Sequence, residues 1–399
     1  MRIKNILVLY HEDISRRFPA HYRKPFCKFL PDKGFKVRMV YFDASADAPT
    51  VDGEKIRLPV TKSRSLHRIP QEYFKTSARV LDAARLLEQD GFRPDLVISF
   101  NNPILLKAGQ RIADAAGAKH VVHIGHLFCE SKMRCPSLVE KAKGYSSVLV
   151  RNRILRRADQ VWLMSEEMRS YFASMLPVDK LKVWPSAVDV RSEPKHYRGR
   201  RQEIRDELDL AEGVPALLYI GTLSKQRDLA LVLDAMRLVL RQRPDAALIF
   251  LGYSPASDDL ALLQAHAASL EIADNVVFHP PVDEDELPYY AAACDIGISP
   301  FKPNFIFRHN SPLKLLEYMN AGIPVAVSTN PEQVTIMAKC SAGRIFDWTP
   351  ESFAACLLEL IEFSPEERHK LGNRGFQWVR DNRDVKLLTN EMVTWLGEL

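Results

Sequence analysis

The stretch NSPLKLLEYMNAGIPVAVS, residues 310–328, carries residue types that can bind a diphosphate and a sugar. Ser311 suits an N-cap and Pro312 suits the first helical position, so this segment predicts a helix start with free N–H groups. Such a start attracts phosphate groups. One and a half turns further on, the Glu317 carboxylate can accept two hydrogen bonds from a vicinal diol such as a ribose. The alternative is an ordinary amphipathic helix on which Lys314 and Glu317 form a surface pair.

A second stretch, YIGTLSKQRDL at residues 219–229, predicts a strand, a polar loop and the start of a helix. Gly221 allows close approach of the backbone to a ligand, and Lys225 and Arg227 supply positive charge where a phosphate would lie. The loop has neither the GxxxxGK[ST] pattern nor the GxGxxG pattern. A solvated basic loop is the alternative.

Nothing in the sequence predicts a metal site. The DED run at residues 283–285 contains D-x-D, but it precedes an apparent helix, where acidic residues favour the helix dipole. The six cysteines form no CxxC pair and have no zinc-ligand spacing, which favours reduced thiols in a cytosolic protein. We therefore expect no metal and no other cofactor.

The charge is divided unevenly along the 399 residues. The formal net charge is +5, made up of +16 in residues 1–200 and −11 in residues 201–399. The first half should therefore meet anions such as nucleic acid, phospholipid headgroups or a phosphorylated substrate. No RNA-recognition motif is present, so we expect no nucleic-acid partner.

Length and composition predict a globular protein of two domains, with 46% hydrophobic and 26% charged residues. No apolar run approaches the roughly 20 residues that cross a bilayer. The first ten residues are followed by charged sequence with no small-residue cleavage site, which argues against a signal peptide. These observations exclude a fibrous, a disordered and a disulfide-stapled chain. We expect a cytoplasmic protein, peripheral at the inner face of the membrane.

Strands and helices alternate along both halves, which predicts parallel sheets with helices on both faces. The expected strands lie at residues 3–10, 35–42, 95–100, 120–124, 160–164, 216–220, 247–251, 276–278, 296–299 and 323–328. The expected helices lie at residues 74–89, 104–116, 230–240, 259–270, 285–293, 312–320, 350–363, 365–381 and 385–399, with further helices ending near residue 158 and starting at Ser165. Polar, basic sequence from 189 to 205 interrupts this alternation.

The division predicted from this pattern has an N-terminal domain at residues 1–190 and a linker at 191–210. A C-terminal domain follows at 211–380, and we expect a last helix at 381–399 to pack back on the N-terminal domain. Each domain is a doubly wound α/β unit, and ligands of such sheets lie beyond the carboxyl ends of the strands. A cleft between the two is the expected site.

Taken together, these stretches resemble the glycosyltransferases of group 1, of the family 4 type. The landmarks are PDLVISFNNP, AKHVVHIGHLF, RRADQVWLMSEEMRSYF and DKLKVWPSAVD in the first half, and YIGTLSKQRDLALVLDAM, DAALIFLGYSP, NVVFHPPVDEDELPYYAAACDIGISPF and SPLKLLEYMNAGIPVAVS in the second. The resemblance implies the GT-B fold, with two Rossmann-like domains facing a central cleft. It also implies a nucleotide-sugar donor and retention at the anomeric carbon.

The resemblance further implies roles for individual residues. Glu317 matches the second glutamate of the family's E-x7-E motif, which holds the ribose. Arg227 matches a lysine that neutralises the diphosphate, with Lys225 as a nearby substitute. His126 matches the histidine that faces the transferred sugar, and His123 is the second choice. The other residues on the donor side are Gly221, Thr222, Gly252, Tyr253, Pro281, Val282, His309, Asn310, Ser311, Pro312, Leu313 and Lys314. Of these, residues 310–313 match the turn whose backbone N–H groups face the donor sugar and diphosphate, and 252, 253, 281 and 282 fall where the base packs.

The sequence departs from the family pattern at three places. His309 stands where the first E-x7-E glutamate is expected, and Thr222 stands where an arginine often follows the glycine. The Gly-Gly after the first strand is replaced by HEDISRRFPAHYRK. In this segment Arg16, Arg17, Arg23 and Lys24 alternate with aromatic residues, which suits an acceptor pyrophosphate or a membrane surface. A solvated helix face with core side chains is the alternative.

The expected function is transfer of a hexosyl or N-acetylhexosaminyl group, a reaction of class EC 2.4, to a glycan or lipid-linked acceptor in cell-surface polysaccharide synthesis. Two alternatives remain open. One is a nonhydrolysing nucleotide-sugar epimerase, which shares the architecture. The other is a GT-B partner subunit without catalytic activity, which the histidine at 309 would favour.

Overall fold

The computed structural model describes residues 3–10, 20–43, 50–52, 54–59, 69–254 and 257–399. Its contacts divide the chain into two compact units, one of residues 1–185 and 385–399 and one of residues 186–384. Residues 191–210, which we expected to link the domains, belong to the second unit, and the C-terminal helix belongs to the first.

The first unit contains an eight-stranded sheet. Its strands are β1 (Asn5–Leu9), β2 (Lys36–Asp43), β3 (Thr50–Asp52), β4 (Lys55–Pro59), β5 (Leu96–Phe100), β6 (Lys119–Ile124), β7 (Gln160–Leu163) and β8 (Leu181–Val183). They lie in the order β3-β4-β2-β1-β5-β6-β7-β8, and of these described strands only β3 runs antiparallel to its neighbour.

The second unit contains a six-stranded sheet that is parallel throughout its described pairs. Its strands are β9 (Ala216–Ile220), β10 (Ala247–Leu251), β11 (Val276–His279), β12 (Ile296–Ser299), β13 (Val325–Ser328) and β14 (Gly343–Phe346). They lie in the order β11-β10-β9-β12-β13-β14.

Helices connect the strands in both units. Those of the first unit are α1 (Ala20–Lys24), a π-helical turn (Pro25–Phe29), α2 (Leu30–Asp32), α3 (Ile69–Gln89), α4 (Pro103–Ala116), α5 (Phe128–Met133), α6 (Leu138–Arg157) and α7 (Glu166–Ala173). Those of the second unit are α8 (Pro194–Arg198), α9 (Arg201–Glu207), α10 (Ala230–Leu240), α11 (Ser257–Ser269), α12 (Leu287–Ala293), α13 (Phe305–Arg308), α14 (Leu313–Asn320), α15 (Pro331–Cys340), α16 (Pro350–Glu362) and α17 (Pro365–Asn382). Helix α18 (Val385–Gly397) completes the first unit.

The strands form where the sequence has short, continuous apolar runs, as expected for strands covered on both faces. All five residues of β5 and of β10 are buried. Helix ends follow local signals: the Asn102 side chain accepts from the Ile104 N–H, and Gly117 ends α4 with a φ of 66°. The Ser165 side chain accepts from the Met168 N–H, as the sequence predicted for this helix start.

The second half begins differently from the sequence prediction. Tyr197, Ile204 and Leu208 are buried in the core of the second unit, so the polar stretch around them is two packed helices, α8 and α9. The charged residues that suggested a linker lie on their outer faces or donate hydrogen bonds to neighbouring carbonyls.

Chain order reverses between β1 and β5 in the first sheet and between β9 and β12 in the second. At such a switch point, the connections leave to opposite faces and open a crevice beyond the carboxyl ends of the strands. The loops after β9 and β12 therefore occupy the position where a ligand is expected. Within the described part of the chain, no helix is both long and apolar enough to cross a membrane.

Candidate functional site

Two glycines bring the loops after β9 and β10 into close contact. Gly221 has a φ of 133°, which side chains rarely adopt, and its N–H donates to the Leu251 carbonyl at 3.0 Å. A Cβ on Gly252 would lie 1.8 Å from the Gly221 carbonyl oxygen, so only glycine fits there. This close packing holds the loop after β9 against the carboxyl end of β10.

Lys314 is half-buried beside this loop, with its amine fully buried. Its Nζ lies 3.9 Å from the centre of the Tyr219 ring and 5.5 Å from that of Phe301, and it has no hydrogen-bond partner among the described residues. Burial, with the positive charge of Arg227, holds the pKa of Lys314 well below its usual range. The expected alternative of a surface pair with Glu317 is therefore wrong, because the lysine turns inward under the loop.

Arg227 ends a 3-10 turn in the loop after β9. Its guanidinium lies 4.9 Å from the centre of the Phe307 ring and 5.7 Å from that of Phe301, and it makes no ion pair with any described residue. The next residue, Asp228, is paired with Lys302 at 2.7 Å. Arg227 and the Lys314 amine therefore lie over one aromatic floor, formed by Tyr219, Phe301 and Phe307, and neither makes an ion pair with a described residue.

The other loop positions predicted to serve the donor have different environments. Lys225 is exposed, and its backbone N–H donates to Asp259. Thr222 is half-buried, and its carbonyl accepts from the Tyr219 hydroxyl at 3.1 Å. Lys225 is therefore free to reach outward, while Thr222 fixes the turn through its backbone.

Glu317 lies on another side of α14 and lines a cavity of about 90 Å³ with Asp189, Arg191 and Glu284. Burial raises the pKa of Glu317 to about 8, with Glu284 and Asp189 raising it further and Arg191 opposing them. A carboxyl group with so raised a pKa in a cavity is a candidate for ligand binding.

The helix start itself is arranged differently from the sequence prediction. Helix α14 begins at Leu313 with Pro312 at its N-cap, and no side chain caps it. The Ser311 hydroxyl donates to Glu332 at 2.9 Å instead. The N–H groups of Asn310 and Leu313 donate to the carbonyls of Phe307 and Ser311, so they are occupied within the protein. They do not offer the row of free donors that we expected.

His309 is buried where the family glutamate is expected. Its Nδ1 lies 2.6 Å from the Phe305 carbonyl, which can only accept, so this nitrogen carries a proton. The contact fixes the ring on the short helix α13 and leaves the position without an acid.

The residues predicted to pack a base form a partly apolar surface. Tyr253 is 40% exposed, Pro281 is exposed and Val282 is half-buried against the core of the second unit. Together with Gly252, they follow β10 and β11, neighbours in the same sheet.

Two histidines of the first unit differ sharply. His126 is exposed in the loop after β6, where its carbonyl accepts from the Asn101 side chain at 2.7 Å. His123 is fully buried among aromatic rings, and its Nε2 lies 3.0 Å from the Tyr22 hydroxyl. The accessible ring is therefore that of His126, and His123 has the environment of a core residue.

The basic N-terminal segment is described only in part, because Arg16 and Arg17 lie outside the described residues. Arg23 and Lys24 are half-buried on α1. The aromatic residues on either side, Tyr22 and Phe26, pack against Trp184 in the core and are not available to a membrane. Here the structure follows the alternative of a helix face with core side chains.

No group of three acidic, histidine or cysteine side chains within the described ranges could hold a metal ion. In the DED run, Asp285 pairs with Arg191 at 2.5 Å, and Glu284 lines the Glu317 cavity. The acidic run thus contributes to the electrostatics around Glu317.

Sequence reasoning missed the aromatic floor and the basic partner of the cavity. Tyr219, Phe301 and Phe307 support the two cations, and Arg191 faces Glu317. A signal was present, since an aromatic residue lies in or just after both strands at the switch point.

Two family models match this chain. "Glycosyl transferases group 1" matches residues 200–378, and "Glycosyl transferase 4-like domain" matches residues 20–186. The putative teichuronic acid biosynthesis glycosyltransferase TuaH of Bacillus subtilis (strain 168) is 29% identical over 231 residues, which are 57% of this chain and 55% of TuaH. The chain thus spans little more than half the length of the first relatives it matches.

Two solved structures share the fold along nearly the whole chain. Sucrose-phosphate synthase from Thermosynechococcus elongatus superposes with a TM-score of 0.76 at 16% identity, covering 99% of this chain and 98% of that one. Anabaena Alr3699/HepE in complex with UDP and glucose superposes with a TM-score of 0.73 at 15% identity, covering 98% and 100%. The expected fold class is confirmed. Residues 200–378 are thus similar to the group 1 glycosyltransferases and residues 20–186 to a glycosyltransferase 4-like domain, and the chain has the GT-B fold of two Rossmann-like domains.

Proposed function

We propose that this protein is a glycosyltransferase that moves a hexosyl or N-acetylhexosaminyl group from a nucleotide-diphosphate-sugar to a hydroxyl group of a glycan or lipid-linked acceptor, with retention. The observation that carries the donor assignment is the pair of basic side chains, Arg227 and Lys314, which lie near each other and make no ion pair with a described residue. An anion bound at this carboxyl end of the parallel sheet compensates the charge of Arg227 and favours the protonated form of Lys314.

In this proposal the leaving diphosphate meets fixed positive charge. Arg227 and Lys314 neutralise it from the side of the aromatic floor, and Lys225 reaches it from the exposed side. Such preorganised charge acts at the point where negative charge develops in the transition state. We propose that no metal is needed, because these cations supply the compensation.

The nucleoside has its own contacts in the proposal. Glu317 accepts hydrogen bonds from the ribose, and the base packs on Tyr253 and Val282.

We assign the acceptor to the first unit, where His126 is exposed. The net positive charge of residues 1–200 suits a phosphorylated or membrane-bound acceptor. The names of two similar proteins support this choice in general terms: TuaH is a putative teichuronic acid biosynthesis glycosyltransferase, and the HepE structure contains UDP and glucose.

The proposal is tested by thermal-shift screening of the full chain against UDP-, GDP- and ADP-sugars, followed by product analysis with EDTA present. We expect one nucleotide class to raise the melting temperature, since a ligand stabilises in proportion to its affinity. Sugar transfer should then require an acceptor and survive EDTA. Conversion of the donor to an epimer without acceptor would favour the epimerase, and donor binding without turnover would favour a non-catalytic subunit.

The Lys314 amine is buried and has no hydrogen-bond partner among the described residues, so we expect its removal to affect protein stability and diphosphate binding in opposite directions. Lys314→Met keeps the apolar stem but removes the amine, whose burial is costly. We expect the free protein to melt at a higher temperature, while its affinity for the nucleoside diphosphate falls about tenfold or more. Differential scanning fluorimetry and calorimetric titration measure the two effects.

The matched control is Lys339→Met, which changes an exposed lysine of the same unit. It should leave both quantities unchanged. If Lys314→Met lowered the melting temperature and left diphosphate affinity intact, Lys314 would be a packing residue and the donor assignment would lose its main support.

A further inference from the structure

A second cavity of the C-terminal unit lies at the opposite end of its sheet. It has a volume of about 490 Å³ and is lined by the residues that precede three strands: Pro215 before β9, Asp295 before β12 and Pro324 before β13. Gly221 and Gly252, by contrast, follow β9 and β10. The cavity is therefore separate from the donor loops.

The lining of this cavity is strongly basic. Five arginines and one histidine line it, against two carboxylates, Glu212 and Asp295; the basic residues are Arg198, Arg201, Arg205, Arg243, Arg368 and His369. Asp295 is shared, since it lies 2.7 Å from one guanidinium and 3.6 Å from a second. The lining thus has more positive charge than its own carboxylates can compensate.

Two of the arginines have no carboxylate within ion-pair distance in the described ranges. Arg198 donates to the Gly322 carbonyl at 3.1 Å, and its other terminal nitrogen lies 3.2 Å from His369 Nδ1. Arg368 donates to the carbonyls of Ile361 and Phe363. Carbonyl contacts hold these side chains in place but leave their charge uncompensated.

The titration behaviour agrees with this picture. Burial and the neighbouring charge of Arg201 lower the pKa of Arg198, and burial and Arg198 lower the pKa of His369. Both groups therefore experience excess positive potential, which an anion in the cavity would relieve.

We propose that this cavity binds a small soluble anion that carries phosphate groups, a diphosphate or a sugar phosphate, with Arg198 and Arg368 as its principal contacts. Guanidinium groups bind phosphate oxygens through paired hydrogen bonds, and two of them on different helices, α8 and α17, define a site. The volume suits a molecule of this size rather than a polymer. This site is additional to the donor site and does not depend on it.

Calorimetric titration with inorganic pyrophosphate tests the proposal in the full chain carrying Arg227→Gln, which weakens the donor loop. We expect one binding event that Arg198→Ala weakens at least tenfold and that Arg198→Lys weakens less. His369→Gln changes an exposed residue and provides a variant that should fold normally. It should weaken binding too, because the imidazole lies beside Arg198. The exposed control Arg237→Gln should bind as the parent does.

No pyrophosphate binding in the Arg227→Gln chain would overturn the proposal, as would binding that neither Arg198→Lys nor His369→Gln alters. Vesicles containing phosphatidic acid separate the two sources of phosphate. If vesicle binding depended on Arg198 and pyrophosphate did not bind, the cavity would be assigned to a lipid headgroup, and the proposal of a soluble anion would be overturned.

Discussion

Arg227→Gln should lower kcat by about a hundredfold or more while KM for the nucleotide-sugar rises less. Removal of one donor that stabilises developing charge costs roughly 3–4 kcal/mol of activation free energy. The structure explains why this arginine should carry such an effect. It has no acidic partner in the described chain, and two phenylalanine rings hold its guanidinium in place. Steady-state kinetics with a fixed acceptor measure both constants.

Glutamine is chosen because it keeps part of the side-chain stem and a polar end group while it removes the charge, so loss of packing is limited. Arg237→Gln is the matched control, since Arg237 is exposed on α10 and makes no described ion pair. The control should keep the parental kcat. If the kcat of Arg227→Gln were within twofold of the parental value, Arg227 would have no role in the reaction. Another group would then have to compensate the charge of the diphosphate.

The sheets were predictable because a strand of a parallel sheet is apolar along its whole length. The expected strands 216–220, 247–251 and 296–299 coincide with β9, β10 and β12. Caps were predictable where a side chain could act alone, as at Ser165. The loops after those strands lie at one edge of the sheet, since the carboxyl ends of parallel strands meet there.

What the sequence could not provide is the side-chain environment set by residues far apart in the chain. Lys314 turns inward because Tyr219, from β9, and Phe301, from the loop after β12, cover its amine. Ser311 does not cap α14 because its hydroxyl oxygen accepts from the Ser186 N–H at 3.1 Å and its hydroxyl donates to Glu332, on α15. Local propensity favours the cap, and a tertiary contact overrides it.

Short elements were missed for a related reason. The helix α13 and the strand β14 each have four residues, too few to show a period. Helix α15 had a usable signal, because Asn330 precedes Pro331 and its side chain accepts from two N–H groups of the first turn. An Asn-Pro start of this kind is typical of a helix, so this omission was avoidable.

Glu317→Gln should remove a pH dependence from both stability and donor binding. The raised pKa, about 8 in the folded protein, means that Glu317 keeps its proton when folded over a range in which the unfolded chain has lost it. The contribution of Glu317 to the free energy of unfolding is therefore most favourable below about pH 4.5 and is lost as pH rises to about 8. Glutamine cannot ionise, so the melting temperature of the variant should exceed that of the parent by an amount that grows between pH 5 and pH 8.

Donor binding should respond in the opposite sense. A ribose that donates two hydrogen bonds prefers the ionised carboxylate, so the affinity of the parent should rise as pH increases towards 8. Glu317→Gln should bind the donor at least tenfold more weakly at pH 8, with little change between pH 6 and pH 8. Calorimetric titration at three pH values measures both trends.

Glu284→Gln is the matched control, because it removes a neighbouring acid that raises the pKa of Glu317. It should move the rise in donor affinity to lower pH and leave the affinity at pH 8 intact. This shift distinguishes a direct contact between Glu317 and the donor from a structural role. If Glu317 only packed against its neighbours, its substitution would lower the stability of the protein, but Glu284→Gln would not change the pH dependence of donor affinity. Donor affinity that is flat with pH in the parent chain would contradict the ribose contact.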